Sequence, residues 1–219
     1  MKSDVIIIGS ELDAFIASIR LNELGFKTRI LSSGKGSLLY SLGNIKILNL
    51  IENDIEKNSP FSFFNKLNLN HPYNIIGKEN VKKSINWFFG LNFFNRLKMD
   101  QYNYNTHTLS PIGHKIPCVG LYYKQINLTD LENQEISIIE FENYKDFHSE
   151  LIAKSIEKIA KSIEIIKIQQ PDFSKNTDSS SLAISFDNIN DSAIYFNNLK
   201  KKLNKNSSIA IFPAVLGLN

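Results

Sequence analysis

The sequence predicts an α/β fold built on parallel strands, and three observations at its start carry that prediction. Val5-Ile6-Ile7-Ile8 is an unbroken apolar run of mostly β-branched residues, stopped by Gly9-Ser10. Such a run fits a strand buried on both faces of a parallel sheet. Leu12, Phe15, Ile16, Ile19 and Leu24 then recur at helical spacing, with Gly25 placed to end the helix. Lys27–Leu31 is again strand-like, so strand, helix and strand fit within the roughly thirty residues of a βαβ unit.

Further along, periodicity predicts more elements of both kinds. Asn80–Met99 is expected to be a helix, with Val81, Ile85, Phe88, Phe89, Phe93 and Leu97 in period and Trp87 and Phe94 widening its apolar face. An aromatic stripe of this kind points first to a core-facing helix and second to a surface for a partner or a membrane. Tyr102–Leu109 and Lys115–Tyr123 read as strands joined at Ser110-Pro111-Ile112-Gly113. Pro in the second position and Gly in the fourth suit a type I turn. Ser137–Phe141, Ile163–Ile168 and Ser208–Phe212 read as strands, and Tyr144–Lys161 and Ile189–Leu203 as helices. Asn53–Pro60 and Gln170–Ser181 read as polar loops. The expected organisation is a βαβ nucleotide-binding part over 1–50, an inserted helical and hairpin region over 51–135, and further α/β segments over 136–219 with the cofactor domain incomplete.

Composition narrows the function classes. A net charge of +3 gives no electrostatic footprint for nucleic acid. Lys200-Lys201-Lys202 reads as a solvated helix end, with contact to phosphate or anionic lipid as the alternative. Cys118 is the one cysteine, which excludes an internal disulfide and leaves no cysteine pair for zinc or an iron–sulfur cluster. It is expected to be a small buried apolar residue in a reducing, cytoplasmic setting. No apolar run reaches the roughly 18 residues that span a bilayer, and Met1–Asp4 runs straight into a strand, so no secretory signal is expected. His71, His107, His114 and His148 lack metal-ligand spacing, and Lys115 reads as a solvent-exposed lysine with a substrate phosphate as the alternative.

The first strand–helix turn bears on chemistry. Dinucleotide sites of this topology use G-x-G-x-x-G, in which the first glycine makes the tight turn, the second admits the pyrophosphate and the third lets the helix pack on the strand. Here the window is Gly9-Ser10-Glu11-Leu12-Asp13-Ala14. Gly9 is kept and Ala14 is a tolerable third residue, but Glu11 and Asp13 bring carboxylates to the helix start. They suit the helix dipole and compete with a bound anion. At the end of the second strand, where an acid usually meets the ribose, the chain has Ser32-Ser33.

Five segments, in chain order, resemble one family. Asp4–Gly9 with the helix and strand that follow look like the opening of two-dinucleotide-binding-domain flavoproteins. Ser37–Leu48, centred on Ser41-Leu42-Gly43-Asn44, and His71-Pro72-Tyr73 are similar to segments of the B subunit of anaerobic glycerol-3-phosphate dehydrogenase. So are Ser110-Pro111-Ile112-Gly113, against a Thr-Pro-Leu-Gly turn, and Pro213-Ala214-Val215-Leu216-Gly217-Leu218, against Pro-Ala-x-x-Gly-Leu. The family's turn is Gly-Gly-Gly-Leu-Ala-Gly in character, and its chains are longer.

The resemblance implies a Rossmann-like fold of the FAD/NAD(P)-binding type, whose parallel sheet carries an inserted region of antiparallel strands and helices. It implies a flavin, FMN or FAD, and a role in relaying electrons from the oxidation of glycerol 3-phosphate to dihydroxyacetone phosphate. The implied partners are a large catalytic flavoprotein subunit and an iron–sulfur subunit, which would place the chain at the inner face of the membrane through a partner. Gly9, Ser10 and Leu12 are then candidates to meet the flavin phosphate, or they form a plain strand–helix turn. Ser32, Ser33 and Gly34 are candidates for the nucleotide crevice, or they form an ordinary loop. Leu42, Gly43 and Asn44 are candidates to lie against the isoalloxazine ring, or they form a structural turn. The flavin supplies the redox chemistry, so the chain needs no general base. A flavin-free scaffold of the same fold is the alternative.

Overall fold

The computed structural model of the chain describes residues 2–34, 36, 41, 43–48, 59–91, 99–122, 125–170, 178–187, 192–203 and 207–215. The fold is mixed α/β, with parallel strand pairs and a separate antiparallel pair. The chain divides into two compact units, Met1–Asn44 and Ile45–Asn219.

In the first unit, β1 (Val5–Ile8) pairs in parallel with β2 (Thr28–Leu31), and α1 (Leu12–Glu23) connects them. The predicted βαβ unit is therefore present. Alternation along β1 turns Val5 and Ile7 inward and Ile6 and Ile8 outward, and Thr28 and Ile30 share the inward side of β2. Ser18 on α1 and Thr28 on β2 tie helix to sheet by a hydroxyl–hydroxyl hydrogen bond of 2.6 Å. The expectation that the first strand is buried on both faces does not hold, because Ile6 and Ile8 are 57% and 87% exposed. Among the described residues of this unit α1 is the only helix, and a single helix covers a single face.

The second unit contains a three-stranded parallel sheet in the order β6-β5-β7, from β5 (Glu135–Phe141), β6 (Ser162–Ile168) and β7 (Ile209–Ile211). The helix α4 (Ser149–Ile156) links β5 to β6, while α5 (Ser179–Asp187) and α6 (Ser192–Lys202) precede β7. β5 is central, hydrogen-bonded on both sides. Its even-numbered Ile136 and Ile138 pack with Ile152 and Ile156 of α4. Its odd-numbered Ile139 and Phe141 pack with Leu182 of α5 and Leu199 of α6. With helices on both faces, five of the seven β5 side chains are buried, Ser137 among them, and the half-buried pair are Glu135 and Glu140.

Several boundaries differ from the sequence expectation. The helix expected over Tyr144–Lys161 is confined to Ser149–Ile156; Phe147 belongs to the core but precedes the helix. The polar loop expected over Gln170–Ser181 gives way to α5 at Ser179, where the Asp178 carboxylate accepts the Ser181 N–H at 2.8 Å. Lys200, Lys201 and Lys202 end α6 on exposed positions, where cations suit the helix C-terminus.

The antiparallel pair is β3 (Met99–Leu109) with β4 (Lys115–Tyr122). A four-residue turn joins them at the predicted place: the Gly113 N–H donates to the Ser110 carbonyl at 2.9 Å, and Ser110 Oγ accepts the His114 N–H at 3.0 Å. The Pro111 carbonyl accepts the His148 N–H at 2.9 Å, which docks the turn on the start of α4. Thr106 on β3 donates to Asn127 Oδ1 at 2.6 Å, and the same Asn127 caps a short 3-10 turn, Leu128–Leu131, leading into β5.

A helical layer packs on β4. It comprises a 3-10 turn at Pro60–Lys66, α2 (Pro72–Ile76) and α3 (Lys78–Phe89). Phe64 and Val81 join Ile47, Leu48 and Val119 in one core cluster, with Ile85 against it, so α3 is a core-facing helix as its apolar period predicts. It ends at Gly90 rather than running to Met99, which begins β3 instead; Phe93, Phe94 and Leu97 lie outside the described residues.

Candidate functional site

The C-terminal ends of β1 and β2 lie side by side, and the loops leaving them meet. Gly9 extends the ladder by donating its N–H to the Leu31 carbonyl at 2.8 Å. It takes φ +133, a conformation that L side chains rarely adopt. A Cβ on Gly9 would lie 4.0 Å from the Ala14 Cβ, so the small residue at position 14 keeps α1 close to the strand, as the third glycine of a dinucleotide turn does. Ser10 Oγ donates to the Gly34 carbonyl over a long 3.4 Å, and Ser32 Oγ donates to the same carbonyl at 2.7 Å.

Gly9, Ser10, Ser32 and Gly34 are thus brought together from two separate candidate groups. Gly36 joins them unforeseen: its backbone lies against the Ser10 carbonyl, which a Cβ at position 36 would overlap. Gly-x-Gly after a strand was the available signal. Leu12 is the first residue of α1 and is 39% exposed, and Ser33 is exposed in the loop after β2.

The helix start is where the charges fall. Glu11 is the N-cap residue of α1, with φ −86 and ψ 171, and its side chain makes no cap hydrogen bond. Asp13 lies in the first turn, and its Oδ1 accepts the Ala14 N–H at 2.8 Å. One of the donors that a helix N-terminus offers to an anion is therefore already held by a carboxylate of the same chain.

The segment expected against a flavin ring is described in part. Gly43 takes φ +67 and donates its N–H to Ser41 Oγ at 3.1 Å, and Asn44 Nδ2 is buried without an acceptor. Leu42 lies outside the described residues.

Tested against a nucleotide phosphate, the turn has a suitable backbone and unsuitable charge. Gly9 and Ala14 give the required tightness, but Asp13 occupies the Ala14 N–H and Glu11 stands at the N-cap. A helix terminus contributes about half a positive charge, which one carboxylate already outweighs. The residues present do not fit a flavin phosphate at this turn.

Other residues singled out by the sequence lie elsewhere in the chain. His71 caps α2, its Nδ1 accepting the Tyr73 N–H at 3.2 Å, and Tyr73 stacks on Phe64 with ring centroids 5.1 Å apart. His114 and Lys115 are exposed beside the hairpin turn. Cys118 is fully buried, and burial pushes its thiol up to about 11. Among the described residues, no group of three His, Cys, Asp or Glu side chains could hold a metal ion. No described helix is long and apolar enough to cross a membrane.

Comparison with known proteins gives one consistent relationship. The whole chain aligns with the B subunit of anaerobic glycerol-3-phosphate dehydrogenase from Actinobacillus pleuropneumoniae serotype 5b, 22% identical over 241 residues and 55% of that protein. The same subunit from Aliivibrio fischeri MJ11 is 26% identical over 176 residues, 73% of this chain and 37% of its own length. That from Vibrio cholerae serotype O1 is 30% identical over 91 residues, 40% of this chain and 21% of its own length. The chain thus spans about half the length of the A. pleuropneumoniae relative. No family model matches, and no solved structure matches.

Proposed function

We propose that this chain serves in an anaerobic glycerol-3-phosphate dehydrogenase as the counterpart of the B subunit, within the complex that oxidises glycerol 3-phosphate to dihydroxyacetone phosphate. One observation carries the reading: similarity to that subunit runs along the whole chain, from the βαβ start to the last strand. The partners on this reading are a large catalytic flavoprotein subunit and an iron–sulfur subunit, the latter holding the complex at the cytoplasmic face of the membrane.

Two roles within that complex are open to the chain. As an electron relay to the quinone side it needs FMN or FAD. The resemblance of its motifs favours this role, as does the buried Asn44 Nδ2, a donor left over in the segment expected to face the ring. As a flavin-free scaffold it needs no cofactor, and the carboxylates at the α1 N-terminus favour that role. The geometry of the phosphate turn weighs toward the scaffold.

The experiment is co-expression with the large subunit, followed by affinity purification, release and chromatography of bound flavin, and assay of glycerol 3-phosphate oxidation with and without this chain. Co-purification with a gain in activity is the expected result. A chain that neither co-purifies nor alters the activity would remove the complex from consideration. Stoichiometric flavin on the isolated chain would select the relay.

A further inference from the structure

The charges at the α1 N-terminus lead to an inference about this turn itself. It rests on the reading of the turn as a nucleotide turn in topology, and it deepens the scaffold role. We propose that Asp13 is the resident anion of the α1 N-terminus and, together with Glu11, closes this turn to nucleotide phosphates.

Two sets of observations support it. The first and third positions of a phosphate turn are kept: Gly9 at φ +133, with Ala14 packed beneath it. What differs is the second position, where Glu11 replaces glycine, and the charge. Asp13 Oδ1 holds the Ala14 N–H at 2.8 Å, and the exposed Glu11 stands at the N-cap. Both carboxylates are exposed, so salt weakens their effect, but at low ionic strength a diphosphate brought to this turn meets two like charges instead of a bare helix end. Asp13 takes up the electrostatic part that a ligand phosphate plays elsewhere, and α1 keeps a satisfied N-terminus with no ligand bound.

The test uses the full chain, with ADP and FMN as separate probes in equilibrium dialysis. Asp13→Asn keeps an acceptor for the Ala14 N–H and removes the charge. The double variant Glu11→Gly/Asp13→Asn removes both charges and restores the second glycine of the pattern. Wild type is expected to bind neither probe saturably. The double variant is expected to gain at least about tenfold in affinity for ADP, and Asp13→Asn alone a smaller gain. Wild-type binding as tight as that of the double variant would overturn the proposal, and so would a folded double variant with no gain. Should the double variant not fold, as judged by circular dichroism, the Asp13→Asn gain decides alone. Co-purification with the large subunit is read separately, so failure of the complex reading and failure of this one are told apart.

Discussion

The hairpin turn at Gly113 allows a quantitative test of how β3 and β4 are held to α4. Gly113 takes φ +78, and a Cβ there would stand 2.6 Å from both the Leu151 carbonyl oxygen and Ser155 Oγ. The Ser155 hydroxyl can rotate away, whereas the Leu151 carbonyl is helix backbone and cannot. For Gly113→Ala, the left-handed conformation costs roughly 1–2 kcal/mol and the forced shift against α4 roughly another 1–2, a loss of about 2–4 kcal/mol in all. Urea unfolding followed by the fluorescence of Trp87, the one tryptophan, reads this loss. With a slope near 2 kcal/mol per molar urea, the midpoint should fall by about 1–2 M. Adding Ser155→Ala should recover only the smaller share, because the carbonyl contact remains. A midpoint shift below about 0.5 M would refute the reasoning, since it would mean that the turn is not pressed on the helix.

Three further outcomes are expected. Ile138, fully buried on the central strand, should cost about 2–5 kcal/mol when changed to Ala, read by the same urea midpoint. Cys118 should resist thiol reagents at pH 8 in the folded chain and react once urea unfolds it. Its thiol lies near 11 when folded and near 9.0 when not, so the unfolded state loses its proton first. Stability should therefore fall as pH rises from about 9 to about 11, a trend that Cys118→Ala should weaken. Asp13→Ala should lose about 0.5–1 kcal/mol of α1 stability, with Asp13→Asn losing less; hydrogen exchange at Phe15 and Ile16 reads both.

How much of this was legible in the sequence depends on the range of the interaction. The βαβ start and the hairpin turn were readable because period, glycine placement and apolar continuity are local signals. The overrun of the helix past Gly90 came from following apolar period through a residue that commonly ends helices. The missed α5 had a cue in Asp178-Ser179-Ser180-Ser181, a capping sequence that looks like loop when counted by polarity. At the candidate site, Gly9 and the two acids were visible, but their consequence was not. That Asp13 turns back to the Ala14 N–H, and that Gly36 lies on Ser10, depends on side-chain rotamer and on loops meeting across the strand ends. Position along the chain does not encode either.

The place of β5 in its sheet sets an order of events during synthesis. Ile136 pairs with Ile163 on one side and with Ile209 on the other. The first pairing can form as soon as α4 and β6 have been made, while the second must wait for nearly the whole second unit. Until then one side of β5 presents unpaired amides and carbonyls, a template for any passing strand. Non-local pairings of this kind close slowly, so yield in expression should depend on how quickly β7 arrives and on whether another chain reaches that edge first.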